Sequence, residues 1–302
     1  MMRHFFLYLS QHRGLRKWME TSSIAKKLTK RFIAGETIEE VLAVCEQLQA
    51  EGIFSALDHL GENVTSLEEA AGSLDAYLVA LDQIAARHLP ATVSIKITQF
   101  GVDFSEQACL ENVRRLAAKA TETGSRVEID MESSIYTDRT LDIATRVAVE
   151  CQCVRCVIQA YLLRSEADLR RLNERRVSVR LCKGAYDEPP AVAFPNKADV
   201  DRNYVTLMKM LFDQGTYPAI ATHDERIINE ALRYARERGI GPDRFEFQML
   251  YGIRRDLQRR LIGLGHRLRL YVPYGTAWYP YFMRRLAERP ANALFVARSL
   301  FR

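Results

Sequence analysis

Short apolar segments alternate with longer amphipathic segments along most of the chain. The apolar segments are nearly continuous, which is typical of parallel strands that are covered by helices. The predicted strands span 54–60, 92–98, 126–132, 155–161, 177–184, 218–224, 245–250 and 268–274. Between them, apolar residues recur at helical spacing. This spacing predicts helices over 66–87, 106–123, 139–150, 166–175, 200–214, 225–238 and 254–264.

The eightfold alternation indicates the fold class. Eight strand–helix units in about 250 residues predict an α/β fold, the (β/α)8 TIM barrel. An open doubly wound sheet is the alternative, but no Gly-x-Gly-x-x-Gly turn follows any predicted strand. Residues 1–50 precede the repeat and are expected to form an N-terminal helical extension, followed by a barrel domain over 51–302.

Composition excludes several classes of protein. The 302 residues are 48% hydrophobic and 27% charged, with a formal net charge of +5, as in an ordinary globular protein. Basic and acidic residues are interleaved and no nucleic-acid motif is found, so no nucleic-acid partner is expected. No apolar run reaches the roughly 20 residues that span a bilayer. Attraction to an anionic membrane surface stays open.

The cysteines at 151, 153 and 156 invite a metal-site interpretation. They are crowded, however, and no suitable histidine is nearby. Buried structural thiols in a reducing cytosol account for them better, and no metal is expected.

Every predicted strand carries polar side chains, mostly at its carboxyl end, where barrels of this type carry their active sites. These residues are Asp58, His59, Lys96, Asp130, Glu132, Gln159, Arg180, Thr222, His223, Asp224, Gln248 and Tyr271. Any single charge there is as well explained by a structural ion pair, but a polar group on all eight strands favours a ligand site. Arg180-x-x-Lys183-Gly184 suits a phosphate or an electron-rich ring.

The segment near the C-terminus predicts a helix with one polar face. Tyr281, Arg284, Arg285 and Glu288 have the spacing i, i+3, i+4 and i+7, so they share that face. Paired guanidiniums beside an aromatic ring suit a small carboxylate. An ordinary solvated helix face is the alternative.

Eight motifs, in order and at compatible spacing, closely resemble those of proline dehydrogenase in its bacterial single-function form. The resemblance covers essentially the whole chain. The motifs are Ser-Ala-Leu-Asp-His-Leu-Gly-Glu at 55–62, Ser-Ile-Lys at 94–96, Ile-Asp-Met-Glu at 129–132, Ile-Gln-Ala-Tyr at 158–161, Arg-Leu-Cys-Lys-Gly-Ala-Tyr at 180–186, Ala-Thr-His-Asp at 221–224, Phe-Gln-Met-Leu-Tyr-Gly at 247–252 and Tyr-x-x-Arg-Arg-Leu-x-x-Glu at 281–288.

The resemblance implies a distorted (β/α)8 barrel whose last helix lies over the barrel mouth. It implies non-covalently bound FAD and oxidation of L-proline to 1-pyrroline-5-carboxylate, with hydride transfer from proline C5 to flavin N5. Electrons would pass to a membrane quinone, and a separate pyrroline-5-carboxylate dehydrogenase would oxidise the product. The protein would be cytoplasmic, with peripheral association with the inner membrane.

The resemblance also implies roles for individual residues. Asp130 and Arg180 would be catalytic. The residues expected to bind substrate are Lys96, Tyr186, Leu250, Tyr271, Tyr281, Arg284 and Arg285. The residues expected to contact FAD are Met131, Gln159, Arg180, Lys183, Gly184, Ala185, Thr222, His223, Gln248 and Glu288.

Two other classes of function are consistent with a barrel of this kind. One is a flavin barrel that acts on hydroxyproline or another small cyclic amino acid, or on a folate. A Tyr281 ring packed near the substrate C4 would disfavour a hydroxyl group there, because that group needs space and a hydrogen-bond partner. The other is a non-catalytic binding barrel, which the presence of Lys96, Asp130, Arg180 and the arginine pair disfavours.

Overall fold

The computed structural model describes residues 29, 31–61 and 63–288, and in the last helix it describes side chains as far as Met283. Residues 1–28 of the expected N-terminal extension lie outside the described residues. Within the described part, no helix is both long enough and apolar enough to cross a membrane.

Eight parallel strands of the described chain close into a barrel in which each strand pairs with the next and β8 pairs with β1. The strands are β1 (Phe54–His59), β2 (Ala91–Ile95), β3 (Val127–Ile129), β4 (Val154–Gln159), β5 (Ser178–Cys182), β6 (Thr216–Ala221), β7 (Glu246–Leu250) and β8 (Leu268–Tyr274). The predicted barrel is confirmed, and the open doubly wound sheet is wrong.

Helices alternate with the strands. They are α1 (Ile38–Ala50), α2 (Leu67–Ala86), α3 (Glu106–Glu122), α4 (Thr137–Glu150), α5 (Ser165–Glu174), α6 (Lys197–Gln214), α7 (Glu225–Glu237), α8 (Arg255–Gly263) and α9 (Trp278–Glu288). Several helices begin at capping side chains; for example, Ser66 accepts a hydrogen bond from the Glu69 backbone at 3.1 Å. Their apolar faces pack on the barrel, as Leu74 and Leu81 of α2 do with no exposed surface.

Several strands end earlier than their apolar pattern predicts. β2 ends at Ile95, β3 at Ile129 and β5 at Cys182, so Lys96, Asp130 and Lys183 follow their strands rather than end them. Short 3-10 turns, Ile97–Phe100 and Ser134–Tyr136, come soon after β2 and β3. These three side chains therefore lie in the loops at the barrel mouth, whereas Asp58, Arg180 and Tyr271 lie within their strands.

The expectation of free thiols is wrong for two cysteines. Cys151 and Cys153, at the turn between α4 and β4, form a disulfide. The turn brings their Cα atoms to 5.3 Å, within the range that a disulfide bridges. Cys156 is unpaired and buried in β4, as expected.

Candidate active site

An ion pair between Asp130 and Arg180 lies at the centre of the barrel mouth. The guanidinium also donates to Ser94 Oγ at 2.9 Å and to Gln248 Oε1 at 3.1 Å. Burial alone would lower the pKa of Arg180, but the carboxylates of Asp130 and Glu128 outweigh burial and raise it. Arg180 is therefore a fixed cation that side chains from β2, from β3 and its end, and from β7 hold in place.

Tyr271 of β8 donates a further hydrogen bond to Asp130. Its hydroxyl donates to Asp130 Oδ2 at 2.7 Å, and its ring centroid lies 5.3 Å from Arg180 Cζ. Burial and then the charge of Asp130 raise the pKa of Tyr271 well above its ordinary value. The tyrosine therefore stays a neutral donor, and both Asp130 oxygens accept hydrogen bonds, since Ser94 Oγ donates to Oδ1 at 3.1 Å.

Lys96 joins the same group of side chains through Asp58, a member of the predicted polar set to which the family resemblance assigned no role. Lys96 Nζ lies 2.9 Å from Asp58 Oδ1 and 3.9 Å from Asp130 Oδ2. The Asp58 side chain is 1% exposed. Its second oxygen, Oδ2, has no hydrogen-bond partner among the described residues. The position of Asp58 near the carboxyl end of β1 was the available signal.

The residues expected to contact FAD follow or end the neighbouring strands, and most also bind protein groups. His223 Nε2 accepts from the Leu250 backbone at 2.9 Å, which ties the end of β6 to that of β7. Gln159 donates to the Glu132 carbonyl at 2.8 Å. Thr222 Oγ1 accepts from the Asp224 backbone at 3.1 Å.

Lys183 and Gly184 continue this set beyond β5. Lys183 pairs with Asp201 and Asp224, and its side chain remains 25% exposed. Gly184 has φ +112°, and a Cβ atom there would overlap the ring of Tyr161. Only glycine fits this backbone without strain. Ala185 beyond it is exposed and Met131 after β3 is buried.

The last helix, α9, packs beside the mouth. Tyr281 is 6% exposed and belongs to an apolar cluster that also contains Phe282. Leu250 and Tyr271 pack against this cluster, so three of the residues predicted to contact substrate come together. Tyr186 packs against the main barrel core instead. Arg284, Arg285 and Glu288 lie in α9, but their side chains are outside the described part.

A layer of charged residues that was not expected from the sequence fills the barrel beneath the site. Arg155 Nη1 lies 2.6 Å from Glu246 Oε1 and 3.3 Å from Glu128 Oε1. Arg269 Nε lies 2.9 Å from Glu246 Oε1, and Arg180 Nη1 lies 3.2 Å from Glu128 Oε2. Burial would raise the pKa of Glu128, but the surrounding arginines lower it to about 2.

This charged layer has a signal in the sequence. Glu128, Glu246 and Arg269 each precede a site residue by two positions, and residues two apart on a strand face the same side. The layer and the site therefore share the barrel interior.

Comparisons with known proteins agree on one family. The family model for proline dehydrogenase matches residues 41–298. Proline dehydrogenase 1 of Bacillus subtilis strain 168 is 40% identical over 302 residues, covering 100% of both chains. Proline dehydrogenase of Deinococcus radiodurans is 42% identical over 280 residues, covering 91% of this chain and 90% of that one.

A solved structure also matches the fold. Proline utilization A from Bdellovibrio bacteriovorus, inactivated by N-propargylglycine, superposes with a TM-score of 0.82 at 28% identity. The match covers 87% of this chain and 33% of that chain. The family expected from the eight motifs is thus confirmed. The chain belongs to the proline dehydrogenase family.

Proposed function

We propose that the protein is an FAD-dependent proline dehydrogenase that oxidises L-proline to 1-pyrroline-5-carboxylate. The observation that carries the proposal is the joined group of Asp130, Arg180, Tyr271 and Lys96 at the mouth of a barrel of this family. It combines a fixed cation, a fixed carboxylate and a second cation beside an apolar wall. Such a group suits a small zwitterion with one carboxylate and one ring.

The residues at the ends of β4 to β7 fit a flavin nucleotide. Arg180 holds a permanent positive charge at the mouth, and a cation near a flavin stabilises the electrons that the ring accepts. The φ of Gly184 favours glycine, so the backbone after β5 carries no side chain there. The partly exposed Lys183 cation lies just before it. The bound flavin supplies the two-electron acceptor for the hydride from proline C5.

The residues that would hold this group are those that the family motifs mark. They are Met131, Gln159, Arg180, Lys183, Gly184, Ala185, Thr222, His223, Gln248 and Glu288.

The chain's own residues orient the proline. Lys96, with Arg284 and Arg285, would bind the carboxylate, because cations with several N–H donors fix its direction. The cations nearby favour the neutral form of the proline amine, which must lose its proton for oxidation. Asp130 positions Arg180 and Tyr271 through the bonds described above. Rigid positioning matters most, since hydride transfer needs the reacting atoms about 3–3.5 Å apart.

The apolar wall would select the ring. Leu250, Tyr271 and Tyr281 share one cluster, and Tyr186 would close the opposite side. A ring hydroxyl would need space and a hydrogen-bond partner beside Tyr281, which packs within this apolar cluster. Proline is therefore favoured over hydroxyproline or another small cyclic amino acid.

The fate of the electrons rests on the family resemblance. They would pass to a membrane quinone, with the protein cytoplasmic and peripherally associated with the inner membrane. A separate pyrroline-5-carboxylate dehydrogenase would oxidise the product.

Anaerobic titration of the purified protein tests the reaction. The protein should carry a yellow flavin spectrum that L-proline bleaches and trans-4-hydroxyproline leaves unchanged. No bound flavin, or no bleaching by L-proline, would refute the proposal. Bleaching by hydroxyproline as well would refute the role of the Tyr281 wall.

Substitution in α9 tests the carboxylate assignment. Arg284→Met should raise the KM for proline much more than it weakens FAD retention. Arg115→Met, on an exposed position of α3, is the control and should change neither. Equal losses of proline and FAD binding in Arg284→Met would contradict the assignment.

A further inference from the structure

A cavity lies at the end of the barrel opposite the candidate active site. Its volume is about 550 Å³, and it opens where β1, β2, β3, β6 and β8 begin. Small-molecule sites commonly have volumes of this order. Arg126 lines the cavity, four residues before Asp130 on the same strand segment, so the two positions lie about 13 Å apart along the chain. The cavity is therefore separate from the upper site.

The lining of this cavity is cationic. Three arginines contribute to it, namely Arg126, Arg267 and Arg269, and no residue of its described lining is acidic. Arg269 is partly neutralised by Glu246 in the charged layer above. The cavity therefore carries a positive potential that a bound anion would lower.

Two of the three arginines have no carboxylate partner within ion-pair distance among the described residues. Arg126 stacks on the Tyr217 ring, with Cζ 5.5 Å from its centroid. Arg267 donates to Tyr217 Oη at 3.2 Å and to the Asp243 carbonyl at 2.9 Å. Burial, and then repulsion from Arg155, lower the pKa of Arg126. The charges of Glu128 and Glu246 offset these effects only in part, so a further anion beside this partly buried guanidinium would be favourable.

The rest of the lining is mixed: His88, Thr92, Thr123 and Ser125 are polar, and one side of the cavity is apolar. Phe54, Ile84, Leu89 and Ala91 contribute to this apolar wall from β1, the end of α2 and the start of β2. An inorganic anion would leave most of this wall in contact with water. An anion with an apolar body would cover it and gain the corresponding hydrophobic free energy.

From these observations we propose that the cavity at the amino-terminal end of the barrel binds a small organic anion, with its charged group at Arg126 and Arg267 and its apolar body against the α2–β2 wall. The site is independent of the proposed reaction at the upper mouth.

Titration calorimetry on the full-length protein tests this site, with naphthalene-2-sulfonate as the probe and 2-naphthol as its neutral match. The sulfonate should bind at one site, and 2-naphthol more weakly. Arg126→Gln and Arg267→Gln should each weaken sulfonate binding about tenfold, because each removes a charge-assisted hydrogen bond. The control Arg115→Gln should stay within about twofold, as expected for a solvated surface charge.

Four results would overturn the proposal in whole or in part. The first is unchanged sulfonate affinity in both arginine variants. The second is loss of sulfonate binding in Lys96→Met, because the probe would then occupy the candidate active site. The third is inorganic phosphate binding as tightly as the sulfonate, which would show that an apolar body on the ligand contributes nothing to binding. Ala85→Phe, which fills the cavity from the end of α2 without changing charge, should also weaken sulfonate binding and is a second check if an arginine variant fails to fold. Unchanged sulfonate affinity in a folded Ala85→Phe would refute the position of the apolar body.

Discussion

Removal of Lys96 should affect stability and substrate binding by separate routes. In Lys96→Met, Asp58 loses the ammonium at 2.9 Å, and its side chain is only 1% exposed. Its other oxygen already lacks a hydrogen-bond partner among the described residues. The variant therefore leaves a carboxylate that is buried and not neutralised, which is the costly way to break an ion pair.

The expected cost follows from this burial. Loss of one partner of a buried pair destabilises a protein by about 3–5 kcal/mol, and the 11% exposure of Lys96 favours the lower end. Asp58→Asn in the same chain removes the charge that was left behind. The double variant should recover about 2 kcal/mol relative to Lys96→Met, since residues in direct contact couple by about 0.5–3 kcal/mol.

Urea unfolding at equilibrium, with the same added FAD in every sample, measures the free energy of unfolding. Steady-state kinetics with L-proline measure KM on the same variants. If Lys96 binds the carboxylate, KM should rise about tenfold or more in both the single and the double variant, because a hydrogen bond to a charged group is lost. Stability should recover in the double variant, but KM should not.

A surface pair provides the matched control. Lys119 Nζ lies 2.6 Å from Asp82 Oδ1, but these side chains are 27% and 59% exposed. Lys119→Met should cost less than about 1 kcal/mol. If Lys96→Met lost no more stability than Lys119→Met, the result would show that water solvates the Asp58 carboxylate. A double variant with wild-type KM would show that Lys96 does not hold the substrate.

Three further substitutions test the site and the layer beneath it. Tyr271→Phe should lower kcat for proline about tenfold with FAD retained, because Asp130 loses a charge-assisted hydrogen bond; parallel loss of FAD would contradict this. Gly184→Ala should lower the free energy of unfolding by about 1–3 kcal/mol in urea titrations, because φ is +112° and Tyr161 occupies the Cβ position; unchanged stability would show that the loop adapts. The folded pKa of Glu128, about 2, lies below its ordinary value of 4.5, so this carboxylate stabilises the fold above pH 4.5 and the contribution, roughly 3 kcal/mol, is lost as pH falls towards 2. Glu128→Gln should be less stable at pH 7 and should show a shallower loss across that window; an unchanged acid dependence would refute the cause.

The barrel was predictable because its signals are local. A continuous apolar run and a 3.6-residue repeat are both visible within about 20 residues of sequence. Strand ends were predicted less well, since Asp130 and Lys183 follow apolar residues but leave the ladder. The Asp58–Lys96 pair depends on the pairing of β1 with β2, which no local pattern specifies.

The layer beneath the site was missed for a different physical reason. A charged residue in a strand is usually expected to face solvent, and Arg155 and Glu246 come from β4 and β7, which two other strands separate in the chain. They neutralise each other only after the barrel closes. Their depth becomes visible only in the closed structure, where both side chains are 0% exposed.

The cost of this layer has to be weighed against what it fixes. Buried ion pairs often stabilise a fold no better than apolar residues of the same size, so stability alone does not explain Glu128 in the barrel centre. Glu128 lies two residues before Asp130 and binds the same guanidinium at 3.2 Å. An apolar residue at 128 would leave Asp130 as the one close carboxylate of Arg180 within the described barrel. Arg180 would then be expected to move together with Asp130 if a ligand bound that carboxylate. With Glu128 present, Arg180 keeps a second carboxylate partner in the buried layer, so we expect the cation to keep its place if a substrate displaces Asp130.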